Sequence, residues 1–495
     1  MTQAAPPDFD VFVTATEAFP AFERAVLDAR QTIHAGFRIF DMQTRLSSAE
    51  ARAVGETWFD LLAQSLRRGV TIRLVISDFD PVYATDLHEE TWRTMRQAAA
   101  LREVTGCSDA QLRVEAAMHP ARAGLLPWLA FLLPALRRRR QEMGKLSDAR
   151  LDRQTVGLRN EVLPQLATVS HHQKIAVIDD TVLYIGGLDL NERRFDDPGH
   201  DRAPEQTWSD VQVMIRGPEV REAAQHLKEF QNVVTGQGAP SDLRWIKRTL
   251  SRPRRLQFPY LSPASVLSEI ETTHVEAFHR ARHLIYLETQ FFRSSRVAEN
   301  LAEAARRNSD LTCILVLPAM PEDVAFEDDI HTHARFGNAL QSDALACVSD
   351  AMGSRFSVLS PVQPRLADRD GMTTLAGSPV VYVHNKVLVE DDRFALIGSA
   401  NLNGRSMRWD TEAAVAIEDS ARMTHLRHRL FQHWWGPDLP DAATDPATQQ
   451  AWWDGQARRN AVLRPENRRG FLVPHDATSS EAMRLSLPGV TEDIV

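Results

Sequence analysis

The spacing His-x-Lys-x4-Asp occurs twice in this chain, at His172, Lys174 and Asp179 and again at His384, Lys386 and Asp391. Only five of the 57 basic residues are lysines, yet two of those five sit in these motifs. A neutral imidazole is a competent nucleophile toward phosphorus, and a protonated one can hand a proton to a departing alkoxide. Two histidines, each beside a lysine, are therefore the equipment for two-step phosphoryl transfer through a phosphohistidine. The two rings must differ in protonation state, and a carboxylate behind each can fix its tautomer and tune its pKa. Asp210, in Trp208-Ser-Asp-Val-Gln-Val, and Glu412, in Asp410-Thr-Glu-Ala-Ala-Val, each open the strand after their motif and are the candidates.

Lys174 and Lys386 would bring positive charge to the non-bridging phosphate oxygens, where negative charge gathers in the transition state. Small-residue turns follow each motif: Gly186-Gly187-Leu-Asp-Leu-Asn191 and Gly398-Ser399-Ala-Asn401-Leu-Asn403. Gly187 and Ser399 stand at the same offset from their histidines (187 − 172 = 399 − 384 = 15). Glycine lets a backbone approach a phosphate, and Ser or Asn donates hydrogen bonds to it. Gly187, Asn191, Ser399 and Asn401 are thus expected to bind the substrate phosphate. Asp179 and Asp391 read as turn-stabilising acids, more structural than chemical. The two His/Lys pairs call for no metal and no other cofactor.

The elements that must position these groups fall into two similar halves. In the first, a helix from Ala21 to Arg30 precedes a strand near Gly36, then a helix over 47–68 and a strand Thr71-Ile-Arg-Leu-Val-Ile-Ser. The second repeats the order with a helix over 274–282, a strand at Leu284, a helix over 296–307 and a strand at Leu311. Helix–strand alternation with short connections predicts an α/β fold of two α/β/α-sandwich lobes with mostly parallel central sheets. Each motif then opens a hairpin with an acidic turn, Asp179-Asp180 or Asp391-Asp392. His and Lys, two apart on a strand, share a face. The motif separation (384 − 172 = 212) is that of a domain-scale repeat, which a pseudo-two-fold could close into one cleft. The expected units are 1–235 and 236–440, with an insertion at about 81–169 in the first, and a peripheral tail over 441–495.

Within the insertion, Leu125-Leu-Pro-Trp-Leu-Ala-Phe-Leu-Leu-Pro-Ala-Leu runs into Arg137, Arg138, Arg139 and Arg140. Twelve residues are too few to span a bilayer. Trp128 and Phe131 flanked by four arginines suit an interfacial membrane contact, and an internal helix with a solvated basic end is the competing reading. The formal charge of −9 and pI near 6.0 argue against a nucleic-acid partner, although they leave room for a local basic cleft. Three widely spaced cysteines offer neither a disulfide framework nor a zinc spacing. The N-terminus lacks the basic and apolar regions of a Sec signal, and no window reaches eighteen apolar residues. A cytoplasmic protein, peripheral to a phospholipid membrane, is expected, with export by another route left open.

The extended wording around the motifs resembles the phospholipase D superfamily over roughly residues 20–440. Ser170-His-His172-Gln-Lys174, Gly186-Gly187-Leu-Asp-Leu-Asn-Glu-Arg-Arg194-Phe-Asp196, His200 and Trp208-Ser-Asp210 are similar to the first motif region of plant- and animal-type phospholipases D. Val383-His384-Asn-Lys386, Gly398-Ser399-Ala-Asn401-Leu-Asn-Gly-Arg405-Ser406 and Asp410-Thr-Glu412 resemble the second. Leu287-Glu288-Thr-Gln290-Phe-Phe is similar to that group's Ile-Glu-Asn-Gln-Tyr-Phe, with Thr289 in place of Asn. The resemblance implies a bilobal monomer with one active site at the interface. It implies a phosphohistidine on His172, His384 as general acid and then base, and Glu288 and Gln290 as supporting residues. The activity implied is hydrolysis of the distal phosphodiester of glycerophospholipids to phosphatidic acid and a headgroup alcohol. Because the intermediate is covalent, an alcohol could replace water and give transphosphatidylation. A cardiolipin synthase or related phosphatidyltransferase, an HKD-type nuclease and a catalytically silent scaffold are the alternatives. All four motif His and Lys residues are present, which weighs against the last.

Overall fold

The computed structural model describes residues 8–145, 163–322, 332–476 and Glu492. Among these, the first half contributes β1 (Phe9–Phe12), β2 (Thr32–Phe37), β3 (Thr71–Ser77), β4 (Leu112–Ala117), β5 (Ile175–Ile178), β6 (Val182–Gly186) and β7 (Gln212–Ile215). They form one sheet in the order β1-β7-β6-β5-β2-β3-β4. The second half contributes β8 (Ile246–Arg252), β9 (Ala264–Ser268), β10 (Leu284–Thr289), β11 (Thr312–Val316) and β12 (Phe356–Pro361). A ribbon of β13 (Thr374–Leu375) and β14 (Ser378–Pro379) precedes β15 (Lys386–Glu390), β16 (Phe394–Gly398), β17 (Glu412–Ile417) and β18 (Leu472–Pro474). The second sheet runs β18-β12-β11-β10-β15-β16-β17-β8-β9. The chain is thus an α/β protein of two lobes.

Parallel pairing lies where helices cross between strands. The helices Trp58–Arg67 and Thr85–Thr105 join β2-β3-β4, and Ser295–Arg307 and Thr332–Met352 join β10-β11-β12. The motif hairpins, β5-β6 and β15-β16, add antiparallel pairs beside these runs, so each sheet is mixed. Tight two-residue acidic turns can only join antiparallel strands, whereas parallel neighbours need a crossover.

The pairing registers match between the halves. Ile33 faces Ile178 in the first sheet and Ile285 faces Glu390 in the second, so 390 − 178 = 212 and 285 − 33 = 252. Gly186 faces Gln212 as Gly398 faces Ala414, giving offsets of 212 and 202. These offsets make Asp210 equivalent to Glu412, and Arg38 equivalent to Gln290.

Both faces of the motif strands are buried. Ile175 and Val177 share one core with Val387 and Val389, and with Leu227 and Phe230 of the helix Glu219–Thr235 and Leu426 and Phe431 of the helix Ser420–Trp435. The alternate residues turn to their own lobe's helices: Ala176 and Ile178 to Phe22 and Trp58, and Leu388 to Leu301 and Leu345. Because one apolar core joins both lobes, the cleft between them is held by buried surface, at about 25 cal/mol per Å².

Asp179 and Asp391 occupy left-handed backbone, φ 52° and 51°, at the hairpin turns. Each carboxylate accepts three successive backbone N–H groups: Arg30, Gln31 and Thr32 at 2.7–2.8 Å, and Arg282, His283 and Leu284 at 2.8–2.9 Å. They clamp the motif hairpin to the start of its antiparallel neighbour, β2 in the first lobe and β10 in the second. Asp391→Ala is expected to lower stability by about 2–4 kcal/mol, through three orphaned donors and a strained turn. Asp179→Ala should cost less, because that site is closer to solvent. Denaturant melts of the two variants measure the difference.

Two expectations change. The stretch 81–169 is not one insertion: the helix Thr85–Thr105 and β4 complete the parallel run of the first sheet. The polar residues of that helix hid it, since only a narrow face (His88, Thr91, Thr94, Ala98, Leu101) is buried. The second part is the helix Leu125–Lys145, and residues 146–162 lie outside the described residues. Residues 441–476 are not peripheral either. β18 pairs antiparallel with β12, and Trp453 and Leu472 enter the shared core. Their few apolar residues are spaced to meet a sheet edge, which Ala- and Asp-rich surroundings concealed. Among the described residues no helix is long and apolar enough to cross a membrane.

Candidate active site

The two motifs meet through backbone bonds that cross between lobes. His172 N–H donates to Thr411 O at 2.8 Å, and Thr411 N–H to Ser170 O at 3.0 Å. His384 N–H donates to Ser209 O and Ser209 N–H to Tyr382 O, both at 2.8 Å. Each motif histidine is therefore pinned beside the residue that precedes the other lobe's carboxylate. The side chains follow: His172 Nδ1 lies 2.9 Å from Glu412 Oε1, and His384 Nδ1 lies 2.6 Å from Asp210 Oδ2. Neither motif histidine finds its carboxylate within its own lobe.

His384, Asp210 and Glu412 are buried and His172 is largely so, with 13% of its side chain exposed, and desolvation dominates the titration of all four. It holds both imidazoles well below 6.5, with the nearby Lys174 and Lys386 pushing the same way. It raises Asp210 to about 7 and Glu412 to about 8. Lys386 is brought down to about 7, and Lys174 is lowered too, with Asp189 opposing. Lowering an imidazole while raising its carboxylate makes each pair hold a single proton, shared along Nδ1···O. With that proton on Nδ1, Nε2 of each ring keeps a lone pair. Lys174 Nζ donates to the His172 carbonyl at 2.6 Å and lies 3.7 Å from Asp189 Oδ2. Lys386 Nζ sits 2.9 Å from His384 Nδ1 and also reaches the His384 carbonyl. We assign Nδ1–H to Asp210, the shorter contact, which leaves Lys386 as a neighbouring charge.

The small-residue turns serve the carboxylates. A Cβ on Gly187 would fall 2.1 Å from Asp210 Oδ1, so glycine there makes room for the carboxylate behind His384. At the equivalent place Ser399 donates its hydroxyl to Glu412 Oε2. Gly187→Ala is expected to displace Asp210 and lower kcat about a hundredfold with the circular dichroism unchanged. Asn401 Nδ2 donates to Gln290 Oε1 at 3.2 Å, and Gln290 Nε2 to Tyr382 Oη at 2.8 Å. Asn191 Oδ1 is buried without a partner among the described residues. Glu288 does not face the imidazoles. Its carboxyl, raised to about 7 by burial, accepts from Trp434 Nε1 at 3.0 Å, from Tyr286 and from Asn385, the residue between His384 and Lys386. Sequence reasoning missed Arg38, Arg405 and Trp208. Arg38 and Arg405 are electrostatic neighbours of His172, and the Trp208 ring lies 4.5 Å from that of His384. Register equivalence with Gln290 was the signal for Arg38, and it needs the sheet.

Outside the cleft, the basic segment forms one helix whose Leu125, Leu126, Leu129, Phe131 and Leu133 are 45–66% exposed. Trp128 does not join them as expected, because its Nε1 donates to the Pro164 carbonyl at 2.6 Å. Arg138 pairs with Glu142 at 3.2 Å and Arg139 is also partnered, while Arg137 and Arg140 are exposed.

Residues 275–435 match a family model described as cardiolipin synthase, PLD-like domain. Phospholipase D1 of Mus musculus is 27% identical over 280 residues, covering 44% of this chain and 24% of the mouse protein. Phospholipase D2 of Bos taurus is 22% identical over 365 residues, covering 52% of this chain and 39% of that protein. The matches thus span about a quarter to two-fifths of these longer relatives. The crystal structure of phosphatidylserine synthase from Haemophilus influenzae superposes with a TM-score of 0.53 at 12% identity, over 92% of this chain and 95% of that one, which shows a common fold. Paired motifs, shared fold and these relatives together place the chain in the phospholipase D superfamily.

Proposed function

We propose that this chain is a phospholipase D, cleaving the distal phosphodiester of glycerophospholipids through a phosphohistidine. The observation that carries it is the crossed pairing of His172 with Glu412 and His384 with Asp210 around two lysines. His172 Nε2 attacks phosphorus while Glu412 holds its Nδ1–H and stabilises the imidazolium that forms. The P–O bond to the headgroup breaks, and protonated His384 delivers a proton to the departing oxygen. Burial disfavours that imidazolium, and the arriving phosphodiester anion and Asp210 supply the negative charge that holds it. Neutral His384 then takes a proton from water, whose oxygen attacks phosphorus and releases phosphatidic acid and free His172. Lys174 and Lys386 neutralise the non-bridging oxygens throughout. The supporting groups are Gly187, Asn191, Ser399, Asn401, Glu288 and Gln290, with Asp179 and Asp391 holding the hairpins.

The exposed apolar face of the helix Leu125–Lys145 continues onto Phe258 and Tyr260, whose carbonyls accept from Leu126 N–H and Gly124 N–H. Apolar side chains ending in Arg137 and Arg140 fit an anionic lipid surface. The protein would dock there as a peripheral monomer, with no nucleic acid and no cofactor. The test is a product assay on vesicles of phosphatidylcholine, phosphatidylethanolamine, phosphatidylglycerol and cardiolipin, with and without a short primary alcohol. Phosphatidic acid, diverted to the phosphatidyl-alcohol when alcohol is added, is the expected result. Cardiolipin formed from phosphatidylglycerol would make the chain a transferase, and intact lipids beside cleaved DNA would make it a nuclease.

A further inference from the structure

The two halves of the cleft differ in charge at equivalent positions. Where the second lobe has the neutral Gln290, the first has Arg38, at the end of β2. Where the second lobe balances Arg405 with Asp410, 3.1 Å away, the offsets of 212 and 202 place Arg193 and Trp208 in the first. Trp208 supplies a ring instead of a carboxylate. Arg193 Cζ stands 4.7 Å from that ring's centroid and Arg194 Cζ 3.8 Å. Arg193 finds Glu322 at 3.1 Å. Arg194 finds none: it is 8% exposed, its Nε has no hydrogen-bond partner, and no carboxylate pairs with it among the described residues. A single carboxylate, Asp189, serves both Arg38 at 3.9 Å and Lys174 at 3.7 Å, and one of its oxygens is itself without a hydrogen bond. Glu322 is a more distant neighbour of Arg38, and Glu90 of both Arg38 and Arg194, and neither forms an ion pair with them. The phosphodiester carries one negative charge, which the two motif lysines already match. A buried guanidinium left over is costly unless a ligand anion reaches it.

We propose that Arg38 and Arg194 form an anion subsite on the first-lobe side of the cleft, taking a second negative group borne by the leaving alcohol. It deepens the phosphodiesterase reading of the site and rests on it. Arg194 stacks on the same Trp208 ring that lies against His384, the residue assigned to protonate the leaving oxygen, so the subsite is on the headgroup side. The substrates it selects are lipids whose headgroup adds a carboxylate or a second phosphodiester. A quaternary ammonium would meet the two guanidiniums there, with the Trp208 ring already covered by Arg194, and choline lipids are the disfavoured class.

The experiment compares kcat/KM on two soluble diesters, methyl para-nitrophenyl phosphate and its analogue with a carboxylate on the leaving ring. Vesicle arms of phosphatidylserine, cardiolipin and phosphatidylcholine are run beside them. The wild type is expected to favour the carboxylate-bearing diester about tenfold or more, and one or both anionic-headgroup lipids over phosphatidylcholine. Phosphatidylserine preferred would assign the second group as a carboxylate, and cardiolipin preferred as a phosphodiester. Arg38→Gln, which installs the second lobe's own residue, and Arg194→Gln should each lower the selectivity ratio about tenfold. A general loss of structure would lower both rates and leave their ratio alone. Equal rates on the two diesters in the wild type, or a ratio that neither variant moves, overturn the subsite. Selective cleavage of the soluble diesters with every lipid intact would keep the subsite and sink the phospholipase reading. No turnover of any diester would overturn both.

Discussion

His172→Ala is expected to lower lipid turnover by about 10⁵-fold or more and to abolish the burst of headgroup release that a covalent intermediate produces. The adjacent histidine is no substitute for the nucleophile. His171, next to it, is buried at 3% exposure, and its Nδ1 is 2.8 Å from the Thr411 hydroxyl. His384→Ala should fail differently. It removes the proton donor, so choline- or ethanolamine-sized alkoxides cannot leave, but an activated leaving group such as para-nitrophenolate needs no proton. A stoichiometric burst without turnover is the expected behaviour of that variant, since the missing base also stalls water attack. Stopped-flow traces of both variants on the nitrophenyl diester check this. A burst of equal size in both would contradict the division of roles.

The second large effect concerns the carboxylates. Glu412→Gln should reduce kcat by about 10³- to 10⁴-fold, the scale on which losing the carboxylate behind a catalytic imidazole acts. The same change should stabilise the protein at alkaline pH. Burial raises the Glu412 pKa to about 8, above its ordinary 4.5. A carboxyl so raised favours the fold while both states are protonated, and that advantage is lost as pH climbs through the folded value. The penalty, on the order of a few kcal/mol, is therefore absent near pH 4 and complete above about pH 8. Glutamine never ionises. The variant should melt above the wild type at about pH 8.5, with the gap closing toward about pH 4.5. A gap that widens on acidification would mean that Glu412 is held as a carboxylate by its cations. Asp210→Asn should follow the same pattern, with its transition nearer pH 7.

Much of the site was legible in the chain because its chemistry is local. His-x-Lys-x4-Asp fixes a hairpin and its acidic turn within eight residues, and Asp210 and Glu412 open the next strand at matching places. What spacing could not reveal was which carboxylate serves which histidine. That depends on the bonds from His172 to Thr411 and His384 to Ser209, which link residues more than 170 positions apart. Gly187 was read as an approach to phosphate, whereas its missing Cβ leaves space for Asp210. Arg38 carried no motif, and only the matching registers of Ile33 with Ile178 and Ile285 with Glu390 make it the equivalent of Gln290. In the fold, the crossover units around β2-β3 and β10-β11 announced themselves by apolar periodicity. The helix Thr85–Thr105 and strand β18 did not, since each buries few apolar residues against a sheet edge.

The most direct test of the central claim is to find the phosphorus. His384→Ala would be mixed with a nitrophenyl phosphodiester, quenched in alkali to preserve a phosphorus–nitrogen bond, digested and mapped by mass spectrometry. Stoichiometric modification of the imidazole of His172, with His171 unmodified and the His172→Ala control blank, is the predicted result. A label on any other residue, or cleavage of the diester that leaves no label anywhere, would contradict a phosphohistidine built across the two lobes.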